Sequence, residues 1–293
     1  MNQEPPYEFI LDNLSKGKVV PFLGSGASLD LRPLDAKWKS PSDPFLPTAG
    51  ELAEYLDRRS GYPEEEVIDL ARVAQYFDGV TGREGLNEEL HEIFSKAYAP
   101  TQLHEFLATF EANLLMVTTN YDDLLERAFN QHQRPFDLVI YNTANENLQY
   151  LEHGKQEAVE VEPNEFILEM GKLPVIFKMH GTFNPKDAER GSYVITEEDY
   201  VEFLARMSRT RAIPVAFAES FRRSYFLFLG YGLRDWNLRV VLHRIWKDRP
   251  NGKNSWAIQH QASDLERQFW LKRKLTIYDL TIQEFLQKLQ VAS

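Results

Sequence analysis

The 293-residue chain contains no cysteine. That single absence excludes disulfides, thiolate zinc sites and thiol nucleophiles. Positive charge is in short supply: 33 lysines and arginines stand against 44 aspartates and glutamates, a net charge of −11. Broad attraction to nucleic acid is not expected of such a chain. Its one basic cluster, RMSRTR from Arg206 to Arg211, reads either as a local exception or as a solvated helix end. Nowhere do about 18 apolar residues run uninterrupted, so no membrane span is expected. The opening residues, MNQEPPYEFI, lack a basic segment ahead of an apolar core, which argues against a signal peptide. The seven histidines include no pair three or four residues apart and no HExxH, so no metal site is expected. No Gly-Lys-Ser or Gly-Lys-Thr closes a glycine loop, and no G-x-S-x-G elbow occurs, which disfavours a P-loop ATPase and a serine hydrolase. With these absences, a soluble, cytoplasmic protein is the expectation.

What is present is globular: 43% of residues are hydrophobic and 13% aromatic. A short helix over Tyr7 to Lys16 leads into an apolar strand, Val19 to Leu23, which ends abruptly in Gly24-Ser25-Gly26-Ala27-Ser28. A strand running into a small-residue turn can bring backbone N–H groups to a phosphate, although Leu29 stands where the dinucleotide fingerprint has its third glycine. The next segment, LRPLDAKWKSPSDPFLPTAG, has four prolines in twenty residues and reads as a lid or a surface loop. Helical periodicity follows over Ala49–Ser60, 65–77, 85–98 and 103–112, a helical module at about 49–112. Further strands are expected at 113–120, 173–181, 225–232 and in NSWAIQ. A polar, acidic excursion with a weak hairpin spans about 142–172, the helix DWNLRVVLHRIW follows the fourth strand, and the amphipathic stretch DLTIQEFLQKLQ closes the chain. Continuous apolar strands alternating with helices predict an α/β fold, a Rossmann-like parallel sheet with helices on both faces, as one domain over 1–293.

Ligands of such sheets bind beyond the carboxyl ends of the strands. The residues there are the Gly24–Ser28 turn, Thr118-Thr119-Asn120-Tyr121-Asp122, His180-Gly181 and Gly230-Tyr231-Gly232. Each has a plainer reading. Asn120 and Asp122 suit the cap of the following helix, and His180 a hydrogen-bonded strand end. Asp235 and Trp236 read as a helix cap with a packing aromatic, or as an adenosine-side contact. His104, on an apolar helix face, reads as structural.

In this order, strand–GSGAS, strand–TTNYD, strand–KMHG and strand–FLGYGLRDWNL resemble the sirtuin superfamily, most closely its bacterial sirtuin-like branch found in antiphage defence. The likeness runs from about Val19 to Trp246, with TTNYDDLLE and GYGLRDWN its most specific pieces. It implies a Rossmann-type NAD+ site with the glycine turn (Gly24, Ser25, Gly26, Ala27 and Ser28) on the pyrophosphate. Asn120 and Asp122 match the residues that grip the nicotinamide and its ribose, flanked by Thr118, Thr119 and Tyr121. His180 matches the catalytic histidine; Gly230, Tyr231, Gly232 and Asp235 line the adenosine side, and Arg32 stands for a loop arginine.

Deacylating sirtuins carry a four-cysteine zinc ribbon, which this chain lacks. The defence branch hydrolyses NAD+ outright, so the resemblance implies an NAD+ glycohydrolase with NAD+ as substrate and no metal. The alternatives are a protein deacylase or ADP-ribosyltransferase, and a sensor that binds NAD+ or ADP-ribose without turnover. Cleavage asks for a dry, shaped site, because the pyridinium leaving group departs neutral, and a histidine suits the base. An unregulated NADase would kill its host. The expected control is a homo-oligomer, a partner such as an Argonaute-like protein or a HerA-type ATPase, or a sensor region beyond this chain. Neither nucleic acid nor membrane is expected as a direct partner.

Overall fold

The computed structural model describes residues 4–291, except 30, 31, 34, 64, 65, 67, 208–212, 234, 235 and 248–252. Its framework is one nine-stranded sheet. The strands in chain order are β1 (Val19–Leu23), β2 (Leu115–Thr118), β3 (Asp137–Tyr141), β4 (Leu148–Leu151), β5 (Val159–Val161) and β6 (Val175–Lys178). Two short strands, β7 (Gly181–Thr182) and β8 (Ser192–Tyr193), pair separately, and β9 (Tyr225–Leu229), β10 (Ser255–Ile258) and β11 (Leu275–Tyr278) complete the set. Across the main sheet the order is β11-β10-β9-β1-β2-β6-β3-β4-β5. Every pairing from β11 to β3 is parallel, and only the β3–β4 and β4–β5 pairings at one edge are antiparallel. The α/β, doubly wound, Rossmann-like arrangement expected from the strand pattern is the one observed.

Successive residues of β1 serve opposite faces. Val20 and Phe22 join Val117, Phe177, Phe226 and Phe228 on one face, under Phe217 and Phe221 of α7 (Val215–Arg223). Val19 and Leu23 join Met116, Ile176 and Leu227 on the other. That face is covered by α1 (Tyr7–Ser15), α4 (Gln102–Thr109), α5 (Leu124–Gln131) and α10 (Ile282–Val291). Pro21 is tolerated inside this central strand because even-numbered residues bond to β9, as Gly24 N–H does to Leu229 O. The proline therefore faces β2, whose ladder with β1 begins only at Phe22.

Between β1 and β2 in the chain lie α2 (Ala49–Ser60) and α3 (Leu70–Phe94), whose two arms meet at a non-helical Gly82. They share a third core, in which Leu56, Phe77 and Leu90 pack with Tyr121, Leu124 and Tyr193 from beyond the strand ends. This layer forms one wall over the carboxyl edge of the sheet. The helix expected after the fourth strand is α8 (Trp236–Lys247), whereas β3, β11, α6 (Glu197–Met207), α7 and α9 (Asp264–Leu271) are elements the sequence pattern does not announce. The helix expected from residue 65 begins at Leu70, and residues 64, 65 and 67 lie outside the described residues. The basic cluster likewise lies largely outside them; its first residue, Arg206, pairs with Glu146.

Candidate active site

Strand β1 reverses its neighbours' direction of succession, with β9 on one side and β2 on the other, so its carboxyl end is the switch point of the sheet. There Ser25–Ser28 make a single 3-10 turn. Gly24 N–H donates to Leu229 O at 3.0 Å and Gly26 N–H to Gly230 O at 2.9 Å. A Cβ on Gly24 would lie 2.8 Å from Gly230 O, and one on Gly26 2.8 Å from Gly230 Cα. Gly230, at φ +73, would drive a Cβ to 2.2 Å from Ala27 N. These three glycines are required, first of all, because two strand ends meet there. Within the Gly24–Ser28 turn, Ser25 and Ser28 are the residues that line the cleft, while Gly24 and Ala27 are buried beneath it.

The β2–α5 loop supplies the next layer. Thr118 is buried; its hydroxyl donates to Leu23 O and accepts from Asn120 N–H, which fixes the start of the loop. Asn120 Nδ2 donates to Gly24 O at 3.0 Å and to Ser28 Oγ at 3.1 Å. The carbonyl acceptor fixes the orientation of the amide, so Oδ1 is the atom left without a partner among the described residues. Ser28 Oγ donates to Asp122 Oδ2 at 2.8 Å, and Asp122 Oδ1 accepts from Leu124 N–H at 3.2 Å. The N-cap residue of the following helix is Asp123, which makes no side-chain cap bond; Asp122, one residue earlier, accepts from the first helical N–H and ties the helix start to Ser28. Helix α5 begins at Leu124, two residues after Asp122. Thr119 Oγ1 lies 3.1 Å from Tyr231 OH across the cleft. The Tyr121 hydroxyl donates to Val194 O at 2.6 Å.

His180 follows β6 and is 7% exposed. Its ring meets Tyr200 and Phe203 edge-on, with centroids 5.5 and 5.3 Å away. Nε2 is buried with no partner among the described residues. Loss of solvation in this aromatic setting pushes the imidazole down to about 3, so it is neutral in the free protein. His104 is buried too, and burial pulls it down to about 4 against the opposing charge of Asp122. Its Nδ1 accepts from Thr101 N–H in a capping box, and Thr101 Oγ1 donates to Ala27 O at 3.0 Å. His104 is structural in its contacts.

Ser25, Ser28, Thr119, Asn120, Tyr121, Asp122, His180, Gly230, Tyr231 and Gly232 line one cleft of about 820 Å³. Asp235 lies outside the described residues. The opposite wall is made by residues 46–50, the end of the proline-rich segment read as a lid or a surface loop, together with Ile68–Ala71, Phe94, Ile195 and Tyr200, none of which the sequence singled out. The proline-rich segment is held to this wall by Glu51, which receives Arg32, Trp38 N–H at 2.9 Å and Thr48 N–H at 2.9 Å. Hydrogen bonding from Arg32 holds the Glu51 carboxyl down to about 2. Arg32 is therefore committed to the loop. A capping-box pattern, Thr48 and Glu51, was the available signal for this anchor. Among the described residues no group of three potential ligands is arranged to hold a metal ion, and no helix is long and apolar enough to cross a membrane.

A parallel sheet with an Asn–Asp loop and a strand-end histidine converging on its switch point matches a known pattern. The sequence signature of the SIR2-like domain covers residues 114–278, more than half of the chain. The chain belongs to the SIR2-like family. Among curated relatives, it is 26% identical over 202 residues to the NAD(+) hydrolase ThsA of Cytobacillus dafuensis, covering 69% of this chain and 35% of that one. To the protein of the same name from Acinetobacter baumannii (strain 532279) it is 27% identical over 237 residues, 80% of this chain and 41% of that one. To that from Bacillus cereus (strain MSX-D12) it is 26% identical over 200 residues, 67% and 36%. This SIR2-like chain spans between a third and about two fifths of the length of these relatives.

Proposed function

We propose that this SIR2-like chain is an NAD+ glycohydrolase that cleaves NAD+ to nicotinamide and ADP-ribose. The observation that carries the reading is the convergence of Asn120, Ser28, Asp122 and His180 on one cleft at the switch point of the sheet. The hydrolase names of the relatives support it. NAD+ lies with its phosphates toward Ser25 and Ser28, its adenosine side toward Gly230–Gly232, and its nicotinamide ribose between Asn120 and His180. The bond from ribose C1′ to the pyridinium nitrogen breaks, and its electron pair leaves with nicotinamide, which becomes neutral. Water adds to C1′ and its proton passes toward solvent. Asn120 Oδ1 orients the ribose, Asp122 holds Ser28 and the helix start, and neutral His180 accepts a hydrogen bond or proton from the attacking water. Imidazole this weakly basic places its contribution at the low end of general-base catalysis, about 10²-fold. Residues 1–293 act as one NAD+-binding unit without a metal. The role in antiphage defence, by NAD+ depletion in the cytoplasm, rests on the family resemblance, as does restraint by a homo-oligomer, by an Argonaute-like or HerA-type partner, or by a sensor region beyond this chain.

Incubation of the purified chain with NAD+ alone tests the reading, with nicotinamide and ADP-ribose separated chromatographically. Release without any peptide, lowered at least about 10²-fold in Asn120→Ala while ADP-ribose still binds, is the expected result. Product that appears only with an acyl-lysine peptide or a protein acceptor would replace the hydrolase with a deacylase or a transferase. Binding without turnover would make the site a sensor.

A further inference from the structure

Two carbonyls of the Asn120–Asp122 loop are held by side chains from the segment that carries His180. Lys178, the last residue of β6, is fully buried. Its Nζ donates to the Asp122 carbonyl and, at 2.9 Å, to Glu126 Oε1. Four residues on, Thr182 Oγ1 donates to the Tyr121 carbonyl at 2.9 Å. The loop reaches back as well, since the Tyr121 hydroxyl donates to Val194 O and Val194 N–H donates to His180 O at 3.0 Å. His180 thus sits midway between two clamps, two residues before it and two after it.

A lysine at the end of an otherwise apolar strand, after Val175, Ile176 and Phe177, is not accounted for by core packing. A buried ion pair is weak evidence for stability, because apolar residues of similar volume commonly do as well. This pair is also incompletely satisfied: Glu126 Oε2 is buried without a partner among the described residues. Burial pushes the Glu126 carboxyl up even with Lys178 beside it. What the ammonium does that an apolar side chain cannot is hold the Asp122 carbonyl at a fixed place.

We propose that Lys178 is a positioning residue, which locks the Asn120–Asp122 loop to the His180 segment so that the nicotinamide ribose is gripped at a fixed width. The proposal rests on the glycohydrolase reading for its effect on rate, and on geometry alone for its effect on the loop.

The test is the double variant Lys178→Met with Glu126→Leu, which removes both charges together and leaves the Asp122 carbonyl without its donor. Three quantities are measured on the full chain: the melting temperature, amide hydrogen exchange over residues 119–123 and 179–182, and the kinetics of nicotinamide release. The expected result is a nearly unchanged melting temperature, exchange over 119–123 at least about tenfold faster, and kcat down by about 10²-fold with KM within about threefold. Thr182→Val, which removes the second clamp and no charge, is expected to move exchange and kcat in the same direction, and it decides the matter if the double variant does not fold. Parental exchange over 119–123 in a folded variant overturns the proposal whatever the rate, as does parental kcat with faster exchange. Should the parent release no nicotinamide, the hydrolase reading fails, while the exchange measurement still decides the clamp.

Discussion

Lowering the pH from 7 to 5 should destabilise this protein through two buried histidines. His104 and His180 are held at about 4 and about 3 by burial, against an ordinary value of 6.5. Between those limits and 6.5 the unfolded chain binds a proton at each residue that the folded chain refuses. Unfolding therefore takes up protons, and stability falls as pH drops below 6.5, until about 4 for His104 and about 3 for His180. Each residue contributes about 1.4 kcal/mol per pH unit, so at pH 5 the loss is about 2 kcal/mol each and about 4 kcal/mol together. Against the typical 5–15 kcal/mol of a folded domain, that is a large share. Glu51, held at about 2 from 4.5, loses its contribution only below about 4.5 and leaves this window clear. Glu126, whose carboxyl is raised, works in the opposite sense above 4.5, and it is common to parent and variants. Urea unfolding at fixed temperature from pH 5 to 7 provides the slope for the parent, His104→Gln, His180→Gln and the double variant. The slope should fall by about one proton per histidine removed. A double variant that keeps the parental slope refutes the assignment of both residues as buried and neutral.

Gly230→Ala places a Cβ 2.2 Å from Ala27 N at a positive φ. It should destabilise the protein by more than about 2 kcal/mol and weaken ADP-ribose binding, and an unchanged urea midpoint would argue against the close crossing of β1 and β9. Glu51→Ala removes the acceptor shared by Arg32, Trp38 and Thr48. A loss of about 2–4 kcal/mol and faster proteolysis within residues 35–47 are expected, and resistance equal to the parent would show that the loop is held some other way. Nicotinamide release should survive EDTA and dialysis; a loss restored by a divalent cation would reveal a metal site.

Much of the sheet was legible because parallel strands buried on both faces read as unbroken apolar runs, as VVPFL, LMVT and YFLFL do. Strand β3 was not, because Asp137 opens it and the polar excursion adjoins it. Helix α9 carried a usable signal, the Ser263–Glu266 capping box, in a stretch too short to show periodicity. The strand-end residues were legible as a set, since topology alone sends them to one edge. Their partners were not: the glycines of the first turn answer to Gly230 some 200 residues away, and nothing local marks Lys178 as buried. Burial also altered the chemistry expected of His180. A histidine base ordinarily titrates near 6.5, whereas burial beside the rings of Tyr200 and Phe203 holds His180 far below.

The pairing of Val19–Leu23 with Tyr225–Leu229 also sets when this cleft comes into being during synthesis. Roughly 200 residues separate the partners, and a ribosome adding about 5–20 residues per second needs about 10–40 s to supply the second strand. Until then the central strand has an unpaired side, and its apolar residues depend on β2 and the helices between for cover. The turn that carries Ser25 and Ser28 has no Gly230 to close upon during that interval. An unfinished chain therefore has no assembled cleft, and the NAD+ cleavage proposed for it becomes possible only when the segment from Tyr225 onward, about the last quarter of these residues, docks.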